Sequence, residues 1–252
     1  MSLYNRIDSV MLERLLPGTA GKEQAGIYAQ AFRLLDAVSM FGVLISGLLL
    51  PIFSKMIKQR EPVGEMVKLS FTLIIVPAVI IAVSSVYYDG EIMTLLYKSN
   101  TTYSSDILGI LMIGFTGIAT TYIFGTLLTA NGSLKQLNLM AFSGMILNVA
   151  LNLILIPRLQ AYGSAYASLS TQLFTGIAQL VLALLIFKLK PGITYIIQLI
   201  AFTGTVIILA EVSLLMQNWI YGYLIMISGS VLFAVIIRLF NIRDILKIIL
   251  YK

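Results

Sequence analysis

The sequence predicts an all-α, polytopic integral membrane protein with about eight transmembrane helices. Three observations carry that prediction. The chain is 59% hydrophobic and only 11% charged over 252 residues, whereas soluble domains are about 45–50% apolar and about 25% charged. With a mean hydropathy of +0.95, most of it must be solvated by lipid. The apolar residues come in runs of about 20, the length that crosses a bilayer core as a helix. The runs do not alternate apolar with polar, as barrel strands do.

The candidate spans follow one another with a helix breaker between each pair. Leu3–Leu16 is the first, short and carrying charge, and Pro17-Gly18 ends it. Gly26–Phe53 is the second, followed by Glu61-Pro62; Val67–Tyr88 is the third, closed by Asp89-Gly90. Asp89–Ser105 then reads as the longest loop, about 17 residues and polar. Asp106–Ala130 is the fourth span, before Asn131-Gly132, and Leu137–Pro157 the fifth, with its own terminal proline. Gly163–Phe187 is the sixth, before Pro191-Gly192; Ile193–Met216 and Trp219–Phe240 are the seventh and eighth, divided by Gln217-Asn218. Pro77 either kinks the third helix or starts its upper half, and Gly114 and Gly117 permit bending of the fourth. The tail NIRDILKIILYK is either a short amphipathic helix on the inner leaflet or a frayed helix end.

Basic residues give an orientation. One side collects Lys55, Lys58, Arg60, Lys68, Lys135, Lys188, Lys190, Arg238, Arg243, Lys247 and Lys252; the other has only Arg14, Lys22, Lys98 and Arg158. Both termini are therefore expected in the cytoplasm. The net charge of +6 is largely this topology signal, so nucleic acid is not an expected partner. The N-terminal MSLYNRIDSVML lacks the basic start, apolar core and cleavage site of a signal peptide.

Function is constrained by what the composition lacks. The chain has no Cys and no His. Disulfides, thiolate chemistry and the commonest general base are thereby excluded. No paired-carboxylate motif, phosphate-cradling glycine loop or metal-ligand cluster is present, so neither an enzyme nor a cofactor is expected.

The informative residues are ionisable groups inside spans: Arg6, Asp8, Arg33, Asp36 and Glu211. Each costs about 2.5–3.5 kcal/mol to insert at mid-bilayer, so each needs a wet cavity or a partner. Arg33 and Asp36, at i,i+3, share a helix face. They form a self-neutralising pair between helices, a cation in a cavity tuned by its carboxylate, or an interfacial pair that snorkels. Arg6 and Asp8 point to different sides of the first helix, and Asp8 is within reach of Arg33 if the first two helices pack antiparallel. Glu211 lies near the outer end of its helix, where snorkelling suits it. Asn148 and Asn152, at i,i+4 with Ala141 and Gly144 on the same stripe, suit either interhelical packing or substrate contact. Ser168, Thr171, Gln172, Thr175 and Gln179 cluster on one side of the sixth helix. Such a stripe is able to line an aqueous path and bond sugar hydroxyls. Thr116, Thr120 and Tyr122 make a weaker stripe on the fourth.

Four blocks, YNRIDSVML (Tyr4–Leu12), GIYAQAFRLLDAV (Gly26–Val38), LLLPIFSKM (Leu48–Met56) and LNVALNLILIPRLQAYGSAYAS (Leu147–Ser168), carry a resemblance. The last combines an LN–x–x–LN stretch, Ile-Pro and a turn into a small-residue helix. The order of these features resembles the C-terminal half of the multidrug/oligosaccharidyl-lipid/polysaccharide (MOP) flippase superfamily, in its O-antigen and polysaccharide branch. Gln160 stands where that family commonly has Gly, and Ser164 where it often has Gly or Ala.

The resemblance implies a transporter of two six-helix lobes plus two accessory helices, fourteen in all. Residues 1–187 then form the second lobe and residues 188–252 the accessory pair and cytoplasmic tail. It implies a missing N-terminal lobe or a second chain, residence in the bacterial inner membrane, and flipping of an oligosaccharide linked to undecaprenyl pyrophosphate. In that reading Arg33 holds the pyrophosphate, while Asp36 or Asp8 steadies Arg33 or takes up a coupling ion. Arg6, Asn148, Asn152, Gln172 and Gln179 complete the cavity candidates. The alternatives are a drug/cation antiporter of the same superfamily, a membrane enzyme such as a polysaccharide polymerase or acyltransferase, and an inactive fragment.

Overall fold

A computed structural model describes residues 7–97 and 102–239. Among these residues the chain forms helices and no strand: α1 (Ile7–Leu15), α2 (Thr19–Lys58), α3 (Gly64–Tyr87), α4 (Asp89–Leu96), α5 (Thr102–Ala130), α6 (Leu134–Leu159), α7 (Ala161–Phe187), α8 (Ile193–Ser213) and α9 (Trp219–Ile236). Seven of them, α2, α3 and α5–α9, are long and apolar enough to cross a membrane. The fold class is that expected, an all-α polytopic membrane protein. The first expected span is described only over the nine residues of α1, about 14 Å of helix and half a bilayer core. Arg6 and the C-terminal tail lie outside the described residues.

Several boundaries depart from expectation. α2 begins at Thr19 rather than Gly26 and runs for 40 residues, about 60 Å. Ala20, Lys22, Glu23, Gln24 and Ala25 are good helix formers, and the break before them is Pro17-Gly18, with a Gly18 φ of 63° that suits glycine. The expected polar loop after Tyr88 contains α4. Its Ile92, Met93, Leu95 and Leu96 supply an apolar side, and Met93 is fully buried. Pro157 does not end α6, which continues to Leu159. The turn falls at Gln160, with φ 53° and ψ −129°, a backbone region that glycine adopts freely and other residues enter at a cost.

α5 is the central helix, packed against α2, α3, α4 and α7. Close approach explains its glycines. A Cβ on Gly117 would lie 2.5 Å from the Gln172 carbonyl oxygen of α7, and one on Gly176 of α7 would lie 2.6 Å from the Gly117 oxygen. Gly117 is thus a contact point between backbones rather than a bend. On the other side of α5, Gly42 of α2 lies directly under the Tyr122 ring. The seam of α2 is read off its buried residues Tyr28, Leu35, Gly42, Leu49 and Met56, a seven-residue repeat of the kind that keeps one stripe against a neighbour. α6 and α7 form a tight hairpin, with Gly163 against the Leu155 backbone.

Buried side chains fall into two clusters. The larger spans α1–α7. The smaller is built by α8, α9 and one side of α3, around Val76, Tyr88, Phe202, Val206 and Met226. Hydrogen bonds pin α8 within the first half of α3 and just past its last residue: Thr72 with Tyr195 at 2.7 Å, and Tyr88 Oη donating to Ser213 Oγ at 2.6 Å.

Three outcomes check this packing and the turn at Gln160. Gly117→Ala should destabilise the protein by about 1–3 kcal/mol, because backbone cannot yield to the new methyl. Gly47→Ala, whose Cβ meets open space, should leave the thermal midpoint in detergent unchanged or slightly raised. Gln160→Gly should raise that midpoint, relieving about 1 kcal/mol of backbone strain.

Candidate functional site

The polar residues meet where α1, α2, α6 and α7 converge. Asp8 on α1 is 3% exposed. Tyr28 Oη donates to its Oδ2 at 2.8 Å, and Asn152 Nδ2 donates to its Oδ1 at 2.7 Å. Asn152 also donates to Asn148 Oδ1 at 3.0 Å, one turn away on α6. A buried carboxylate needs such donors, because removal from water without them costs several kcal/mol. The expected approach of Asp8 to Arg33 is corrected: both Asp8 oxygens point to the donors on α2 and α6. The α6 stripe is also narrower than expected. Gly144, Asn148, Asn152 and Ile156 are buried, at strict i,i+4 spacing, while Ala141 is exposed.

Beside this network lies a cavity of about 80 Å³, room for a few waters or one hydrated ion. Its lining includes Asp8 and Asn148, then Asp36 and Ser39 from α2, Thr121 and Tyr122 from α5, and Ser168 and Gln172 from α7. Two carboxylates therefore share one cavity with hydroxyls and amides. Among the described residues no basic side chain lines it. Asp36 is itself exposed, so the cavity opens on the outer side of α2.

Arg33 is placed differently. It is exposed, on the side of α2 away from the buried seam, with Met40, Leu44 and Leu48 below it on the uncovered surface of the helix. Its depth follows from the packing. Gln24 of α2 accepts from Tyr103 at 2.8 Å and from the Ala161 amide at 3.2 Å, at the level where α5 and α7 begin. Arg33 and Asp36 are nine and twelve residues further in, about 14 and 18 Å along the axis. α5 is about 44 Å long, so a centred 30 Å core starts about 7 Å below its first residue. With that placement both charges lie inside the core, on a surface that the described residues leave uncovered.

The remaining candidates separate. Of the stripe on α7, Ser168, Thr171 and Gln179 are buried and Gln172 and Thr175 partly so. Thr171 and Thr175 donate to carbonyls of their own helix, Thr171 to Ala167 O at 2.8 Å and Thr175 to Thr171 O at 2.9 Å, leaving their lone pairs to accept. Thr116 and Thr120 on α5 also bond their own helix, and only Tyr122 of that stripe reaches the cavity. Glu211 is exposed and accepts from Tyr87 Oη at 2.7 Å, a bond between α8 and α3 at their outer ends. Tyr28, Ser39 and Thr121 were not singled out by the sequence. Tyr28 carried a signal nonetheless, since it heads the seven-residue seam of α2.

No family model matches the chain, and no curated protein matches it. The site is therefore judged on its own geometry.

Removing the Tyr28 hydroxyl while keeping its ring would leave Asp8 Oδ2 without its donor. Tyr28→Phe should lower stability by about 1–3 kcal/mol, read as thermal unfolding in detergent. Asp8→Asn with Tyr28→Phe should recover part of that loss, because the neutral amide tolerates a missing donor better.

Proposed function

We propose that this chain is one lobe of an alternating-access flippase for a pyrophosphate-linked oligosaccharide, working in the bacterial inner membrane with both termini cytoplasmic. The observation that carries the reading is the pair Arg33 and Asp36, held at intramembrane depth on an uncovered surface of α2. Lipid alone is a poor solvent for such a pair, so a wet cleft and a second lobe are the natural cover. The second lobe is supplied by a longer chain or a second copy. A lobe that rocks against another about a site between them alternates access to the two sides.

In this reading Arg33 faces the cleft and grips the pyrophosphate, a task suited to a planar, permanently charged guanidinium. The cargo's sugars would occupy the cleft itself, since the 80 Å³ cavity is too small for them. Asp8 and Asp36 would take a coupling cation, with Asn148, Ser168 and Gln172 supplying oxygens. The resemblance to polysaccharide flippases in four sequence blocks points the same way.

One observation favours a second reading, a drug/cation antiporter of the same superfamily. The cavity is acidic and, among the described residues, lined by no basic group, which suits a cationic cargo. Arg33 beside it is unfavourable to such a cargo and puts the flippase reading first.

The test is translocation of a lipid-linked oligosaccharide in proteoliposomes containing the complete transporter. Arg33→Ala should abolish translocation at normal abundance, and Arg33→Lys should retain only part of it, because an ammonium cannot bind bidentately. Normal translocation by Arg33→Ala, or efflux of cationic dyes that is unchanged by it, would overturn the flippase reading.

A further inference from the structure

Buried polar atoms without a partner are uncommon, and each asks for an explanation. Among the described residues five side-chain oxygens are in this state: Ser70 Oγ, Asn152 Oδ1, Ser164 Oγ, Thr121 Oγ1 and Gln179 Oε1. Four of the five lie along one seam, where α7 packs against α6 and α5. Ser164 and Asn152 stand at its outer end, near Asp8. Thr121 lines the cavity. Gln179 is 8% exposed, and its Oε1 lies against Gly125 of α5, one turn from Thr121. Ser164, Ser168, Thr175 and Gln179 follow one another at spacings that keep them on one side of α7. From Ser164 to Gln179 is about 22 Å of helix, more than two-thirds of a bilayer core.

The chemistry of these atoms limits what can satisfy them. Amide oxygens such as Asn152 Oδ1 and Gln179 Oε1 only accept. Thr171 and Thr175 have spent their protons on their own helix and add further acceptors. The Ser164 and Thr121 hydroxyls both donate and accept, so their complement is a water; the amide oxygens of Asn152 and Gln179 call for a donor, which water supplies, or for a positive charge. Gly125 has a part in this: a methyl there would collide with Gln179 Oε1 at 2.7 Å, so the glycine keeps the inner end of the seam open to the amide. Below Gln179 the residues Leu127, Leu128 and Ala183 are fully buried and apolar, and they close the seam inwards.

We propose that the α5–α7 seam is a hydrated branch of the Asp8 cavity, open to water and small monovalent cations as far as Gln179 and closed beyond it. Water enters from the cavity beside Asp36 and Ser39 and passes Gln172 and Thr121. The branch brings a cation to within about 12 Å, eight residues, of the inner end of α7. It does not depend on the identity of the cargo, only on the observed packing.

The absence of Cys makes the test direct. Thr175→Cys and Gln179→Cys are each made as the sole thiol, together with Ile177→Cys, which is at the same depth but 58% exposed on the outer surface of α7. Membrane vesicles are treated with Ag⁺, and the thiol left unblocked is counted with a maleimide dye after denaturation. Reaction with Ag⁺ needs an ionisable, hydrated thiol, so the thiols of Thr175→Cys and Gln179→Cys should be blocked on the order of tenfold faster than that of Ile177→Cys. Thr121→Val added to Thr175→Cys should slow the blocking by removing a hydroxyl that holds water in the path. Equal rates at positions 175 and 177 would overturn the proposal. Thr175→Cys decides the matter by itself if Gln179→Cys fails to assemble. The readout is thiol modification, so it stands or falls separately from translocation.

Discussion

The structure depends on the approach of two helix backbones. Lipid is as apolar as a leucine side chain, so helices in a membrane gain little from burying apolar surface against each other. They gain from close packing, and Gly117 of α5 and Gly176 of α7 remove the side chains that would keep the axes apart. This contact places α5 at the centre of the bundle. α2 then docks on the opposite side of α5, where Gly42 receives the Tyr122 ring and Ser46 Oγ donates to the Tyr122 carbonyl at 3.2 Å. The residues that α2, α5 and α7 give to the cavity are positioned by these two contacts, while Asp8 and Asn148 come from α1 and α6.

The same packing leaves a polar interior. Above Gly117 and Gly176 the α1, α2, α6 and α7 helices converge on Asp8, whose carboxylate ties three of them together through Tyr28 and Asn152. Below, the seam continues to Gln179. Hydrogen-bonded networks of this kind are costly if any member is lost, and this one also borders a cavity. Holding the helices together and lining the cavity thus fall to the same side chains. Asn148 and Asn152 show the overlap: Asn152 holds Asp8 in place, while Asn148 both accepts from Asn152 and faces the cavity.

α8 and α9 stand apart from this chemistry. They share a cluster with one side of α3, and α8 is hydrogen-bonded to it at Thr72 and Tyr87 and to Tyr88 just past its end. The polar cavity has no residue from either helix. Their contribution is to cover α3, while the surface of α2 bearing Arg33 has no such cover among the described residues.

The amino-acid sequence by itself determined the solvent, the helical class and the order of the spans, because each depends on runs of about 20 apolar residues and on the breakers between them. It also placed ionisable groups at intramembrane positions and put Asn148 with Asn152, and the α7 polar residues, on common helix sides, since periodicity is a local property. Only the tertiary structure decided which of these meet. Asp8 pairs with Tyr28 and Asn152 rather than with Arg33, and Asp36 turns towards the cavity while Arg33 turns away from the buried seam. Those outcomes depend on the rotation of each helix about its axis. Rotation is set by the glycine contacts of α5 with α2 and α7, between residues 80 and 59 positions apart in the chain, and no local pattern encodes it.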